Sequence, residues 1–218
     1  MRITDIGKSF DGRQVLEIDD FEFRKGMIYA LCGANGSGKS TLARIIAGIV
    51  SPDTGTVSDA GAVRYMPQNS YVFRMSVEKN VLLAGKTGGK ERADKLLDAL
   101  GILSLSKAKA KKLSGGETAK TALARVLMEK CDTLILDEPC AAMDVKSTVA
   151  AEKLIKQYAE ETGCTVILIT HSLKQAMRIS DHALFMADGR ICEHGDANEL
   201  FSAPQKSETI EFLEYSSL

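Results

Sequence analysis

Between Met27 and Val50 the chain reads MIYALCGANGSGKSTLARIIAGIV, and no other stretch limits its possible folds as much. An apolar run ending in glycine is the pattern of a buried strand feeding a loop. The loop, GANGSGKS from Gly33 to Ser40, follows the G-x-x-x-x-G-K-S spacing and is flanked by the strand and helix that this spacing needs. After it, Leu42, Ile45, Ile46 and Ile49 recur at helical spacing, with Gly48 near the expected end. Gly33, Gly36 and Gly38 let the backbone curl so that successive N–H groups point at phosphate oxygens. The helix opening near Lys39 adds its positive dipole end. Lys39 is expected to reach the β- and γ-phosphates, and the Ser40 hydroxyl to ligate Mg²⁺. The feature predicts a nucleotide-binding fold without saying which kind.

The length of 218 residues suits one well-cored domain. A net charge of −1 with both signs mixed argues against a nucleic-acid partner. Charged residues or glycine interrupt every apolar run before it reaches the roughly 20 residues of a membrane span. The opening MRITDIGKSF lacks the apolar core of a secretory signal, so the expected location is cytosolic. Cys32, Cys131, Cys140, Cys164 and Cys192 are scattered, with no C-x-x-C pair, and read as buried, reduced thiols. Cys32 stands apart, because oxidation beside the phosphate loop would impair binding.

Short strands dominate the first third, with turn signals at Asp11-Gly12 and Lys25-Gly26. From about Asn69 to Lys112 the character turns helical and polar. Ala93, Leu96, Leu97 and Leu100 share one helical face before Gly101, and Ala119, Ala122, Leu123, Val126 and Leu127 share another. TLILD and TVILIT are apolar enough for parallel strands covered on both faces, with a helix between them. HALFMADGRICEHG reads as a hairpin across Asp188-Gly189. The lysines at 107, 109, 111 and 112 read as a solvated face.

TLILDEP ends its strand in Asp137 and Glu138. Such a strand carries its carboxylates to the carboxyl edge of a parallel sheet, where α/β folds bind ligands. Neighbouring strand residues point to opposite sides, so the two acids are expected to divide the work. Asp137 would hold Mg²⁺, and Glu138 would polarise the attacking water. Farther along, LSGGE (Leu113 to Glu117) contains Ser114 and Glu117 at capping-box spacing. A capping box does not require Gly115 and Gly116, which weaken a helix by about 1 kcal/mol each relative to alanine. Missing Cβ atoms would let a large anion approach, so the turn reads as a second phosphate contact.

These motifs together resemble the nucleotide-binding subunit of ABC (ATP-binding cassette) transporters over nearly the whole chain. GANGSGKST, through Thr41, is similar to the family's Walker A loop, LILDEP to its Walker B strand, and LSGGE to its LSGGQ signature. Gln68 matches the Q-loop glutamine, Ala141 to Asp144 the D-loop, and His171 the switch histidine. Phe10 falls where the family stacks an aromatic on adenine. The resemblance implies an α/β fold: a P-loop NTPase core with a mostly parallel sheet, an N-terminal antiparallel β subdomain and a small α-helical subdomain at about 69–125. It implies an ATPase using ATP and Mg²⁺, with Ser40, Gln68 and Asp137 near the metal. Glu138, His171, Gln68 and Lys39 would serve catalysis. Phe10, Gly33, Ala34, Asn35, Gly36, Ser37, Gly38, Lys39, Ser40 and Thr41 would hold the nucleotide in cis. Ser114, Gly115, Gly116, Glu117 and Asp144 would meet it from a second subunit, since family members pair head to tail around each ATP.

The sequence departs from the family pattern at Glu117, which replaces the usual Gln, at Ala119-Lys120, where Gln-Arg is common, and at Ala141, where Ser is common. Transport by such a chain would require separate membrane permease subunits on whose cytoplasmic face it sits. An importer would also use an extracytoplasmic solute-binding protein. The tail resembles that of importers of polar amino acids and of oxyanions such as phosphate or tungstate. The segment NSYVFRMSVEKNVLLAG after Gln68 is the candidate docking surface, with Tyr71, Val72, Phe73 and Met75 either facing the partner or packing inside. A soluble non-transport ABC-type ATPase is the alternative; a small P-loop kinase is disfavoured by LSGGE, DEP and His171.

Overall fold

The computed structural model describes residues 1–85 and 89–216. Among the described residues, ten strands and eight helices follow one another. The strands are β1 (Arg2–Phe10), β2 (Arg13–Ile18), β3 (Phe21–Glu22), β4 (Ile28–Cys32), β5 (Thr54–Ser58), β6 (Val63–Met66), β7 (Thr133–Asp137), β8 (Thr165–Ile169), β9 (His182–Ala187) and β10 (Arg190–Asp196). The helices are α1 (Lys39–Ile46), α2 (Val77–Leu82), α3 (Gly89–Ala99), α4 (Gly115–Val126), α5 (Val145–Thr162), α6 (Leu173–Ile179), α7 (Ala197–Ser202) and α8 (Ser207–Ser216).

Two sheets organise them. A small antiparallel sheet runs β2-β1-β3, with β5 also paired to β1. The larger sheet has the order β10-β9-β4-β8-β7-β6, parallel from β9 to β6 and closed at one edge by the antiparallel β9–β10 hairpin. All residues of β4, β7 and β8 are buried, as continuous apolar runs in a sheet covered on both faces require. The two-residue side-chain period divides them between two cores. Leu134, Leu136, Val166 and Leu168 face the helices α3, α4 and α5 with Leu97, Leu123 and Ile155. Ile135, Ile167 and Ile169 face α1 and the antiparallel sheet with Leu42, Ile3 and Leu16.

The expected helical faces pack as the spacing demands: Ala93, Leu96, Leu97, Leu100, Ala119, Ala122, Leu123, Val126 and Leu127 are all buried. Ile49 differs. It lies 60 % exposed, because α1 stops at Ile46 and the following turn closes with Gly48 N–H on the Ile45 carbonyl and Ile49 N–H on that of Arg44. This pairing of terminal amides and carbonyls ends the helical phase, so Ile49 no longer shares a face with Leu42. Of the segment 69–125, residues 86–88 lie outside the described residues; the rest holds α2, α3, α4 and two single 3₁₀ turns at Leu103–Leu105 and Ala110–Lys112. Among the described residues no helix is long and apolar enough to cross a membrane.

Candidate active site

Strand β4 runs between β8 and β9 and releases the chain at Gly33, at the carboxyl edge of the parallel sheet. There it passes β9 so closely that a Cβ on Gly33 would lie 2.1 Å from the Met186 carbonyl oxygen. Its φ of +141° also excludes larger residues. The loop then folds over Lys39, the first residue of α1. The Lys39 ammonium donates to the carbonyls of Gly33 (2.8 Å) and Ala34 (2.7 Å) and to the Ser37 hydroxyl (3.3 Å). It is 6 % exposed, and burial pulls its pKa below the usual lysine value. All three acceptors are neutral, and among the described residues no carboxylate lies within salt-bridge distance of it. A buried cation without a counter-ion, beside the N-terminus of α1, is an anion site by charge and by dipole.

Asp137 ends β7, 1 % exposed. The hydroxyl of Tyr65, on the neighbouring strand β6, donates to its Oδ2 at 3.2 Å. Glu138 has already left the strand. Its φ is 51°, a left-handed conformation uncommon outside glycine and frequent at functional sites, and its N–H donates to the Ile169 carbonyl at 2.9 Å. Strand alternation predicted opposed side chains. The left-handed turn instead swings Glu138 back, and both acids line one cleft. Oε1 of Glu138 is buried without a hydrogen-bond partner and lies 3.4 Å from His171 Nε2. Burial raises the Glu138 carboxyl to about 7; the backbone N–H of His171 and the charge of Lys39 oppose the rise, and Asp137 adds to it. His171, following β8, is pushed below the usual imidazole value by burial first and by Lys39 second.

The cleft encloses about 270 Å³ and gathers Asn35, Gly36, Gly38, Lys39, Ser40, Thr41, Gln68, Asp137, Glu138 and His171. Gly33, Ala34 and Ser37 support it from beneath, through Lys39. Among the described residues no cluster of three or more His, Cys, Asp or Glu could hold a metal unaided. Mg²⁺ does not require one, because it is bound by one or two protein oxygens together with nucleotide phosphates. Ser40, Gln68 and the Asp137 carboxylate offer hard oxygen donors here.

Other predicted residues lie elsewhere. Phe10 is 46 % exposed at the end of β1, with the Lys8 ammonium 5.2 Å from its ring centre. Asp144 caps α5, accepting from Ser147 N–H at 2.8 Å. Ser114 caps α4 in a complete capping box: its N–H and hydroxyl both donate to Glu117 Oε2 at 2.8 Å. These bonds hold the Glu117 carboxyl below its ordinary value. Ser114, Gly115, Gly116 and Glu117 do not line the cleft. Gly116 has a reason of its own to lack a side chain, since a Cβ there would lie 2.8 Å from the Ala142 carbonyl oxygen. Gly115 would meet only Ala142 Cβ, at 3.7 Å.

Sequence reasoning missed Val15 and Ile169, which line the cleft, and Tyr65, which holds Asp137. Only Tyr65 left a trace in the sequence, as the hydroxyl-bearing member of the strand leading to Gln68. Cys32 is sealed in the core and its thiol is raised to about 12 by burial, which removes the nucleophilic thiolate that oxidation needs. Tyr71 and Phe73 project outward, 54 % and 44 % exposed, with the Arg125 guanidinium 4.9 and 5.3 Å from their rings.

Comparison with known proteins agrees with this geometry. The family described as "ABC transporter" matches residues 16–141. A zinc import ATP-binding protein, ZnuC of Brucella abortus, is 36% identical over 210 residues, covering 94% of this chain and 70% of its own length. A tungstate uptake system ATP-binding protein, TupC of Peptoclostridium acidaminophilum, is 35% identical over 213 residues, covering 91% of this chain and 98% of its own. Among solved structures, an ATP-binding subunit of an ABC transporter superposes with a TM-score of 0.84 at 20% identity, covering 100% of this chain and 99% of that one. An Atm1-family exporter with ATP bound gives 0.89 at 23%; this chain spans 42% of it. At such identities the superpositions speak for the fold, while the family match and the curated relatives speak for the chemistry. With its phosphate loop, paired acids and switch-position histidine converging on one cleft, the chain belongs to the ABC transporter family, as an ATP-binding, transport-energising ATPase subunit.

Proposed function

We propose that this chain powers solute import, working as one of two cassettes that enclose ATP between them while docked on separate membrane permease subunits. Lys39 and the N–H groups of the phosphate loop bind the triphosphate. Ser40, Asp137 and Gln68 hold Mg²⁺, which neutralises phosphate charge when bound. Glu138 takes the proton of the attacking water through its free Oε1, and His171 steadies that carboxylate and the γ-phosphate. Phe10 stacks on the base.

The observation that carries the two-cassette reading is spatial. One cleft collects Asn35, Gly36, Gly38, Lys39, Ser40, Thr41, Gln68, Asp137, Glu138 and His171 of the residues expected in cis, while Ser114 to Glu117 stand outside it at the N-terminus of α4. That turn meets a phosphate only on a second copy, with Asp144 beside the same junction. Import, and a small polar or inorganic solute captured by an extracytoplasmic binding protein, is supported by relatives whose names include zinc and tungstate uptake. Attachment at the cytoplasmic face of the membrane follows from docking, and the outward Tyr71 and Phe73 are the anchors offered for it.

Glu138→Gln tests the core of this reading. The variant is expected to bind ATP, lose about 10²–10⁴-fold in turnover, and run as an ATP-dependent dimer on gel filtration. Full-rate turnover by wild-type chains held monomeric by dilution would overturn it.

A further inference from the structure

The oxygen donors offered to Mg²⁺ come from three separate elements: Ser40 from α1, Gln68 from the segment after β6, and Asp137 from the end of β7. Tyr65 joins all three elements. It stands on β6, three positions before Gln68, and pairs in parallel register with Ile135. Side chains two apart on a strand share a face, so Ile135 and Asp137 point the same way. A long aromatic side chain opposite the first of them reaches diagonally to the second, and the Tyr65 hydroxyl does so, donating to Asp137 Oδ2 at 3.2 Å. The same face packs under α1, with Tyr65 and Ile135 beside Leu42, Ala43 and Ile46.

From α1 the Arg44 guanidinium approaches the same hydroxyl. A guanidinium only donates, and a phenol carries one proton. Arg44 therefore engages the Tyr65 oxygen and leaves its proton to Asp137, which sets the direction of the bond. The carboxylate it reaches is 1 % exposed, so water does little to orient it. A hydrogen bond from a ring held in the core stops the carboxylate turning about its last side-chain torsion. Tyr65 does not line the cleft, so it acts on the chemistry through Asp137. Carboxylates that hold a metal depend on such partners: losing one costs about 10–100-fold in metal affinity or activity.

We propose that Tyr65 is a positioning residue for metal binding: its hydroxyl fixes the Asp137 carboxylate against β6 and α1, so that the donors on the three elements meet one Mg²⁺. The inference rests on the metal-holding reading of Asp137 above. Tyr65→Phe keeps the ring and its packing and removes the donor alone. The test is a Mn²⁺ titration of the full chain loaded with a non-hydrolysable ATP analogue, read from the paramagnetic resonance signal of free Mn²⁺. The variant is expected to bind Mn²⁺ about tenfold more weakly, with its affinity for the analogue in the absence of metal unchanged. Turnover should show the same split: the Mg²⁺ concentration giving half the maximal rate rises about tenfold, while the rate at saturating Mg²⁺ stays close to wild type. Arg44→Met leaves the tyrosine in place and should give a smaller loss in the same direction, which keeps the test open should Tyr65→Phe misfold. A lower melting temperature with undiminished Mn²⁺ affinity would mark the bond as purely structural and overturn the proposal. Undiminished affinity in Tyr65→Phe alongside a loss in Asp137→Asn would do the same and leave the metal with Asp137. Undiminished affinity in both variants would remove the metal-holding reading of Asp137 and the proposal with it.

Discussion

His171 Nε2 lies 3.4 Å from Glu138 Oε1, the one carboxylate oxygen of the cleft that is buried without a hydrogen bond. A carboxyl raised to about 7 is protonated in mildly acidic solution and unable to accept a proton from water. Turnover is therefore expected to climb with pH through about 7 and then level. A pH–rate profile checks this, and the ascending limb should vanish in Glu138→Gln. Stability should move the other way. A carboxyl whose folded value is raised contributes stability fully below its unfolded value and loses that contribution as pH rises through the folded one. The melting temperature of Glu138→Gln relative to wild type should thus increase between about pH 4.5 and 7 and stay level above.

Gly115 and Gly116 should behave oppositely on substitution. Gly115→Ala meets only an ordinary contact, and alanine is the better helix former by about 1 kcal/mol, so its melting temperature should hold or rise. Gly116→Ala presses on the Ala142 carbonyl and should lower it. A fall in ATP turnover in the stable Gly115→Ala variant would then report on the approach of phosphate itself.

Much of this arrangement can be read from residue order alone. Strands β7 and β8 and the buried faces of α3 and α4 follow from apolar spacing, and the phosphate loop from its glycines and flanks. What escaped depends on contacts between distant residues. The left-handed turn at Glu138 is imposed by the Ile169 carbonyl on the next strand, and no local pattern announces it. Gly116 looks shaped for a ligand until Ala142, far along the chain, is seen against it. The alternation of Lys and Ala at 107–111 was visible, but the recess those lysines line needs Arg74 and Lys79 from another segment.

Glu117→Gln should preserve or raise ATP turnover. The amide oxygen can still accept from Ser114 N–H, while the charge next to an arriving phosphate disappears. A large loss in steady-state phosphate release would show a specific role for the carboxylate.

Arg178 grips Glu152 through two hydrogen bonds, 2.8 and 2.6 Å, and Gln175 adds a third at 3.3 Å. The Glu152 side chain is 5 % exposed, so Arg178→Ala strands a buried charge. Arg178 is itself half exposed, which places the expected cost at about 2–3 kcal/mol, below the usual range for a fully buried pair. Denaturant titration at neutral pH measures it. Because this clasp ties α6, which follows His171, to α5, turnover should fall with little change in ATP affinity.

The backbone from Glu138 to Asp144 works as a short strap. One end is pinned where the Glu138 N–H donates to the Ile169 carbonyl, the other is anchored as the cap of α5, and its middle lies against the turn at Gly115 and Gly116 through Ala142. On the proposed two-cassette reading, a protomer that shifts this strap on cleaving its own nucleotide would also tilt the turn it offers to a second copy. Two pockets paired in that way would not fire independently: the chemistry in one would set the grip of the other.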